Sequence, residues 1–232
     1  MKKGFTLSET LICLGIVGVV AALTIPSVMK NYQKRLLTNQ LQKTYYQIAN
    51  ATQTIMDTEH VDNFYETTAG QDNSCSNANN GTCEKGVGYW MNKYFLPVKK
   101  NCGKNANNLC LAGLAADSYK TMNDTNAGTI TNQYCIQTSD GAAICGFFNP
   151  ANRCMSMIVD VNGPAAPNIT GRDVFSMDIH QDGSISDYGS GCANNAFGCA
   201  ASSCGTKDAG GAYETSCGCL TSIVESGWKM NY

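Results

Sequence analysis

The chain has 232 residues, at most two small domains, with 16 Lys and Arg against 18 Asp and Glu and a formal net charge of −2. That near-neutral balance excludes a nucleic-acid-binding tail or a polybasic membrane patch as its organising theme. Two His and no clustered His, Asp and Glu argue against a catalytic transition-metal centre. Charged residues are only 15 %, Gly (23) and Cys (13) are numerous, and much of the apolar content lies in the first 30 residues. The composition reads as a membrane-inserted start followed by a polar, Cys-rich exported domain.

Residues 5–29 carry one charged side chain, Glu9. A helix of that length rises roughly 37 Å, enough to cross a hydrocarbon core of about 30 Å. Lys2 and Lys3 precede it, so the positive-inside rule places the N-terminus in the cytoplasm and everything after Lys30 outside. A secretory signal peptide would have a shorter apolar core and a small-residue cleavage site, a part that Ala21-Ala22-Leu23 could be forced into. Two features oppose this: the carboxylate near the start, and the direct continuation of the apolar stretch into a second helical pattern. A plain anchor leaves Glu9 unexplained, and a charge inside a bilayer is by default a functional hypothesis.

Lys2-Lys3-Gly4-Phe5-Thr6-Leu7-Ser8-Glu9 resembles the leader and cleavage motif of type IV prepilins and type II secretion pseudopilins. The resemblance implies cleavage between Gly4 and Phe5 by a membrane-embedded prepilin peptidase on the cytoplasmic side, followed by methylation of the new Phe5 amine. It also implies partners: copies of this chain or other pilin-like subunits, an inner-membrane assembly platform, and the lipid bilayer. The physical logic stands without the family. Cytoplasmic cleavage leaves the apolar helix attached and creates a free amine one helical turn before Glu9. In a bundle of such helices, Glu9 of one subunit can pair with the Phe5 amine of its neighbour, which offsets the desolvation of a buried carboxylate. Glu9 is thereby a register device for assembly; the plainer reading is a Glu snorkelling to the interface. Gly15, Gly18, Ala21 and Ala22 would let helices approach closely. Pro26 removes a backbone donor and is expected to kink or locally melt the helix, as a helix-breaking Pro does near this place in the family.

From 30 to about 59 the pattern is helical. Leu37, Leu41, Tyr45, Ile48, Thr52, Ile55 and Glu59 follow steps of four and three, apolar except at Thr52 and Glu59. One helix of about 50 residues results, apolar all round first and amphipathic afterwards; the alternative is two helices hinged at Pro26. Residues 60–132 read as irregular, with loops over 73–82 and 101–108 and a short helix over 89–95 ended by Pro97. Strand signals begin at 133. Residues 134–138, a Ser139-Asp140-Gly141 turn and 143–148 form a hairpin. Residues 155–161 alternate as a half-buried strand, and 174–180 with 184–186 form a second hairpin around Gln181-Asp182-Gly183. Three or four antiparallel strands need a cover, and the stripe on the long helix supplies it.

The expected fold is therefore α+β: a long N-terminal helix, half membrane-spanning and half amphipathic, packed on a small antiparallel sheet with Cys-rich loops, as in pilins. Its parts are a leader (1–4), a membrane and assembly helix (5–29), its amphipathic continuation (30–60) and a head (61–232) with the sheet at about 133–187.

Twelve cysteines lie beyond the membrane segment: Cys75, Cys83, Cys102, Cys110, Cys135, Cys145, Cys154, Cys192, Cys199, Cys204, Cys217 and Cys219. An oxidising compartment would allow up to six disulfides. Pairs such as Cys75–Cys83 and Cys102–Cys110 would close small loops, and hairpin geometry suits Cys135–Cys145; the full connectivity stays open. Zinc is the rival, with Cys199, Cys204, Cys217 and Cys219 as thiolates, although no pair has the C-x2-C spacing of a strong site. Cys-x-x-Cys, the redox signature, is absent. Asp160, Asn162 and Asp173 could hold Ca²⁺ through oxygen ligands; the competing reading makes Asn-Gly and Pro-Asn turn formers, with Asp173 tying down the loop. Asp178, Asp182 and Asp187 look like hairpin-turn residues, and His60 and His180 stand alone. No catalytic constellation appears, so no enzymatic activity, no cofactor apart from that calcium, and no nucleic-acid partner is expected.

The implied function is a structural subunit of a type IV pilus or a type II secretion pseudopilus, stored in the inner membrane with its N-terminus inside and its head in the periplasm or at the cell surface. The sequence does not separate the two. The rival from another class is a membrane-anchored surface binding or adhesion module that uses prepilin processing without polymerising.

Overall fold

The computed structural model describes residue 4 and residues 6–71, 84–95, 98–104, 110–113, 117–127, 134–149, 154–187, 204 and 218–232. The chain divides into two compact units, Met1–Leu36 and Leu37–Tyr232, and the first helix, α1 (Leu7–Glu59), runs through both. It is unbroken at Pro26, so the expected local melting does not occur. A proline inside a helix removes only its own N–H, here the partner of the Ala22 carbonyl, and the surrounding turns carry the helix on.

In the first unit every large apolar side chain of α1 is exposed, among them Leu11, Ile16 and Val20. In the second unit α1 buries a stripe formed by Leu37, Leu41, Ile48, Ala51, Ile55 and Met56. The stripe expected at steps of four and three is present, with Tyr45 half-buried and Thr44 added. Thr44 and Thr52 sit in this face because each hydroxyl donates to the carbonyl one turn earlier, of Gln40 and Ile48 respectively.

After α1 come two 3-10 turns, Phe64–Glu66 and Thr68–Gly70, and a helix α2 (Gly86–Tyr94), three residues longer at its start than the sequence suggested. Six strands follow: β1 (Val98–Lys104), β2 (Tyr134–Thr138), β3 (Ala143–Asn149), β4 (Cys154–Asp160), β5 (Val174–Ile179) and β6 (Ile185–Asp187). They form one antiparallel meander in chain order. Among the described residues the expectation of three or four strands is corrected to six. β1 lies where a loop was read: its Lys-Lys-Asn-Cys-Gly-Lys run has poor strand propensity, and its pairing with β2 carries two register shifts. A further helix, α3 (Cys219–Glu225), lies in the C-terminal segment.

The sheet is covered on both faces. One face shares a core with α1, α2 and α3, in which Ile136, Met155, Met157, Phe175 and Met177 meet Leu41, Trp90 and Ile223. The other face carries a second core of Cys135, Cys145, Ile158 and Val174 with Leu111 and Tyr119 from the segment before β2. β4 is thus buried from Met155 to Asp160, Ser156 and Ile158 included, where a half-buried strand was expected. Its alternation is real, but the polar phase faces a covering segment and not water.

Among the described residues three disulfides close, Cys102–Cys110, Cys135–Cys145 and Cys204–Cys219. Cys135 and Cys145 are directly paired in the β2–β3 register. The Cys204–Cys219 bond removes two of the four thiolates of the zinc alternative, because a disulfide sulfur carries no charge to offer a cation. Cys75, Cys83, Cys192, Cys199 and Cys217 and the side chain of Cys154 lie outside the described residues.

The C-terminus is fixed by aromatic contact. Trp228 adopts φ 58°, rare for a bulky residue, and its ring lies 5.4 Å from that of Tyr45 and 5.9 Å from that of Tyr46 on α1. Gly171 (φ 79°) must be glycine for a second reason: a Cβ there would lie 2.8 Å from Cys219 Sγ.

Candidate functional site

The strongest site is the start of α1. Thr6 precedes the first helical residue, and its backbone N–H donates to Glu9 Oε2 at 2.9 Å while its hydroxyl donates to the same oxygen at 2.7 Å. Glu9 N–H donates back to Thr6 Oγ1 at 3.3 Å. This reciprocal arrangement is a capping box: Thr at the N-cap, Glu three residues on, each satisfying a backbone donor that the helix leaves without a partner. Thr10 closes the same turn, its hydroxyl donating to the carbonyls of Thr6 and Leu7.

Glu9 therefore has a role in the single chain that the sequence reading missed. Thr6 was missed with it, although Thr-x-x-Glu before an apolar run is a legible signature. Only Oε2 is engaged; Oε1 has no partner among the described residues, so a second donor can be added without dismantling the cap. Gly4 is exposed, and a Cβ there would meet nothing within 4 Å. A side chain at Gly4 would thus not disturb this chain, and any demand for glycine there comes from outside it. Phe5 lies outside the described residues.

Beyond the cap, the helix offers a surface with no cover. A Cβ at Gly15 or Gly18 would also meet nothing within 4 Å. With Ala22 they occupy positions i, i+3 and i+7, a shallow strip where another helix can come close. Pro26 lies in a groove with Leu23, Ser27, Lys30, Asn31 and Lys34. α1 is the one helix among the described residues long and apolar enough to cross a membrane.

The second candidate is the turn between β4 and β5. Asp160 and Asp173 are both fully buried. Asp160 Oδ2 accepts the Tyr119 hydroxyl at 2.9 Å. Asp173 accepts the backbone N–H groups of Asn168 at 2.7 Å and Ile169 at 2.6 Å, one on each oxygen. Asn162 Nδ2 donates to the carbonyls of Ala165 and Ala166. Asp173 thus ties down the loop. Burial pushes Asp160 well above the usual carboxylate range, the neighbouring Asp173 adding to it, and burial pushes Asp173 up to about 6.

Asn162 Oδ1 and Asn168 Oδ1 are buried without hydrogen-bond partners. Among the described residues no three His, Cys, Asp or Glu side chains converge, so a cation here would be held by two carboxyls and amide oxygens. Asp178 and Asp187 are not turn residues. Asp178 is buried in β5 and accepts the Ser156 hydroxyl at 2.7 Å. Asp187 is buried at the end of β6 and accepts Thr221 N–H at the start of α3. Asp182 does form the expected turn, accepting Ser184 N–H.

Residues 1–25 match the model of the prokaryotic N-terminal methylation motif. That is the prepilin-type signature of type IV pilins and pseudopilins. No curated protein and no solved structure matches the chain.

Proposed function

We propose, for a chain that opens with the methylation motif, a structural subunit of a pilus or pseudopilus. It is stored in the cytoplasmic membrane, cut between Gly4 and Phe5, and stacked helix against helix into a filament. The observation that carries this reading is the state of α1: an apolar rod exposed on every side, capped by a Thr6–Glu9 pair with one carboxylate oxygen to spare. A bilayer satisfies such a rod in the precursor, and neighbouring copies satisfy it in a filament. The free Oε1 is the acceptor for a neighbour's Phe5 amine. Disulfides in the head suit a location outside the cytoplasm. The role is mechanical, and catalysis has no part in it. Calcium at Asp160, Asn162 and Asp173 is a separate proposal within the head, supported by the two orphaned amide oxygens and tested by whether added Ca²⁺ raises the melting temperature.

Mass spectrometry of the native protein tests processing: the polypeptide should begin at a methylated Phe5. Glu9→Ala should abolish filaments while the subunit stays in the membrane fraction. A native chain beginning after residue 30 would overturn the proposal. Intact surface activity with no filament in wild type would favour the anchored binding module.

A further inference from the structure

The head carries a cleft of about 190 Å³ whose chemistry assembly does not use. Its walls are Gln47, Asn50 and Thr54 from α1, Tyr94 and Phe95 from the end of α2, and Ser139 from the β2–β3 turn. The three α1 residues stand at i, i+3 and i+7, so one helix face presents two amides and a hydroxyl side by side. Among the described residues no lining side chain is charged. Lys43, one turn before Gln47, and Asp140, next to Ser139, pair with each other at 3.0 Å and join α1 to the turn.

One lining residue is under-satisfied: Gln47 Oε1 is buried with no hydrogen-bond partner. The Tyr94 hydroxyl has the Lys93 ammonium beside it. An unpaired buried oxygen is costly, and leucine would fill the place of Gln47 without that cost. The terminal amide of Gln47 turns about a soft torsion, so a ligand in the cleft can draw its oxygen or its nitrogen into a hydrogen bond.

The lining selects a ligand class. The charges beside the cleft are engaged, Lys43 and Asp140 with each other and Lys93 with the Tyr89 hydroxyl, so neither an anion nor a cation finds a free partner among the described lining residues. An apolar ligand would strand amides and hydroxyls away from water. Amides and hydroxyls each donate and accept, which suits a ring of hydroxyl groups. Tyr94 and Phe95 add apolar area to the wall, their rings already met by Lys93 and Trp90. The space is room for roughly six waters at about 30 Å³ each, below the roughly 300 Å³ of a drug-sized site. We propose that this cleft binds one neutral sugar unit, giving the head a surface ligand that is independent of filament formation.

The test uses the full chain in dodecylphosphocholine micelles, which present no sugar head group. N-acetyl-D-glucosamine, D-galactose and D-glucose are the probes, with D-glucuronate and D-glucose 6-phosphate as charged comparators, read by saturation-transfer NMR. At least one neutral sugar should receive saturation, and Asn50→Leu should cut that signal tenfold or more. Asn50 is exposed, and an unchanged melting temperature would show that the variant folds. Gln53→Leu, on the same helix outside the cleft, should bind as wild type does. Silence from all three sugars, equal signal from the charged comparators, or a signal that survives Asn50→Leu would each overturn the proposal. None of these outcomes bears on filament assembly, which Glu9 tests separately.

Discussion

The two halves of α1 are the same secondary structure put to opposite uses. Leu11, Ile16 and Val20 are 63 %, 60 % and 54 % exposed, whereas Leu41, Ile48 and Ile55 are fully buried. Helix propensity does not separate them. The first half is apolar all round and has no cover among the described residues; the second is apolar along one stripe, and the head covers it. A helix of the first kind needs a different solvent or other copies of itself, and one of the second kind is complete.

The largest way to break this contrast is a charge in the first half. Val17→Lys should cost about 3 kcal/mol of membrane insertion at a helix centre. The protein should move from the membrane fraction into the soluble one, with head melting unchanged. The reciprocal change is Trp90→Ala. Trp90 is fully buried, donates to the Ala51 carbonyl at 3.1 Å and meets Phe64 and Phe95 edge-on. Losing it should destabilise the head by about 3–5 kcal/mol in denaturant unfolding, with membrane retention intact. Cys219→Ala opens the Cys204–Cys219 loop and should cost about 3 kcal/mol in the chain-entropy model. Reduction of the wild type opens Cys102–Cys110 and Cys135–Cys145 as well and should cost more.

The smallest effect is one of pH, and only the head should show it. Burial raises Asp173 to about 6 and Asp187 to about 7, from an ordinary 3.8. A carboxyl raised on folding holds its proton more tightly in the native state. Its contribution is whole below about 3.8 and is lost as pH climbs through about 6 and 7. The head should therefore be more stable at pH 6 than at pH 7, by on the order of 1 kcal/mol. Asp187→Asn should flatten the slope between those pH values, as followed by circular dichroism.

Much of this was legible along the chain because it rests on local chemistry. A run of apolar residues, a stripe at 3.6-residue spacing and Ser-Asp-Gly or Asp-Gly turns between alternating segments each mark their element without help from elsewhere. The Glu9 anomaly was visible for the same reason. Its partner Thr6 is legible by the same local rule, since Thr-x-x-Glu at the mouth of an apolar run marks a capping box. β1 was hidden because a strand at a sheet edge can be built from Lys, Asn and Gly when its neighbour supplies the hydrogen bonds. The pairing of Cys204 with Cys219 was hidden because spacing cannot say which cysteines meet.

By itself the sequence determined where the membrane-competent rod begins, where it turns amphipathic, and which charge stands at its mouth; these depend on residue type and helical period alone. Tertiary structure decided the rest. It placed a second layer over the polar phase of β4, buried Asp160, Asp173 and Asp187, gathered the neutral cleft beside Gln47, and moved Trp228 onto α1. Each of these depends on which distant segments share a surface, and one-dimensional periodicity carries no record of that.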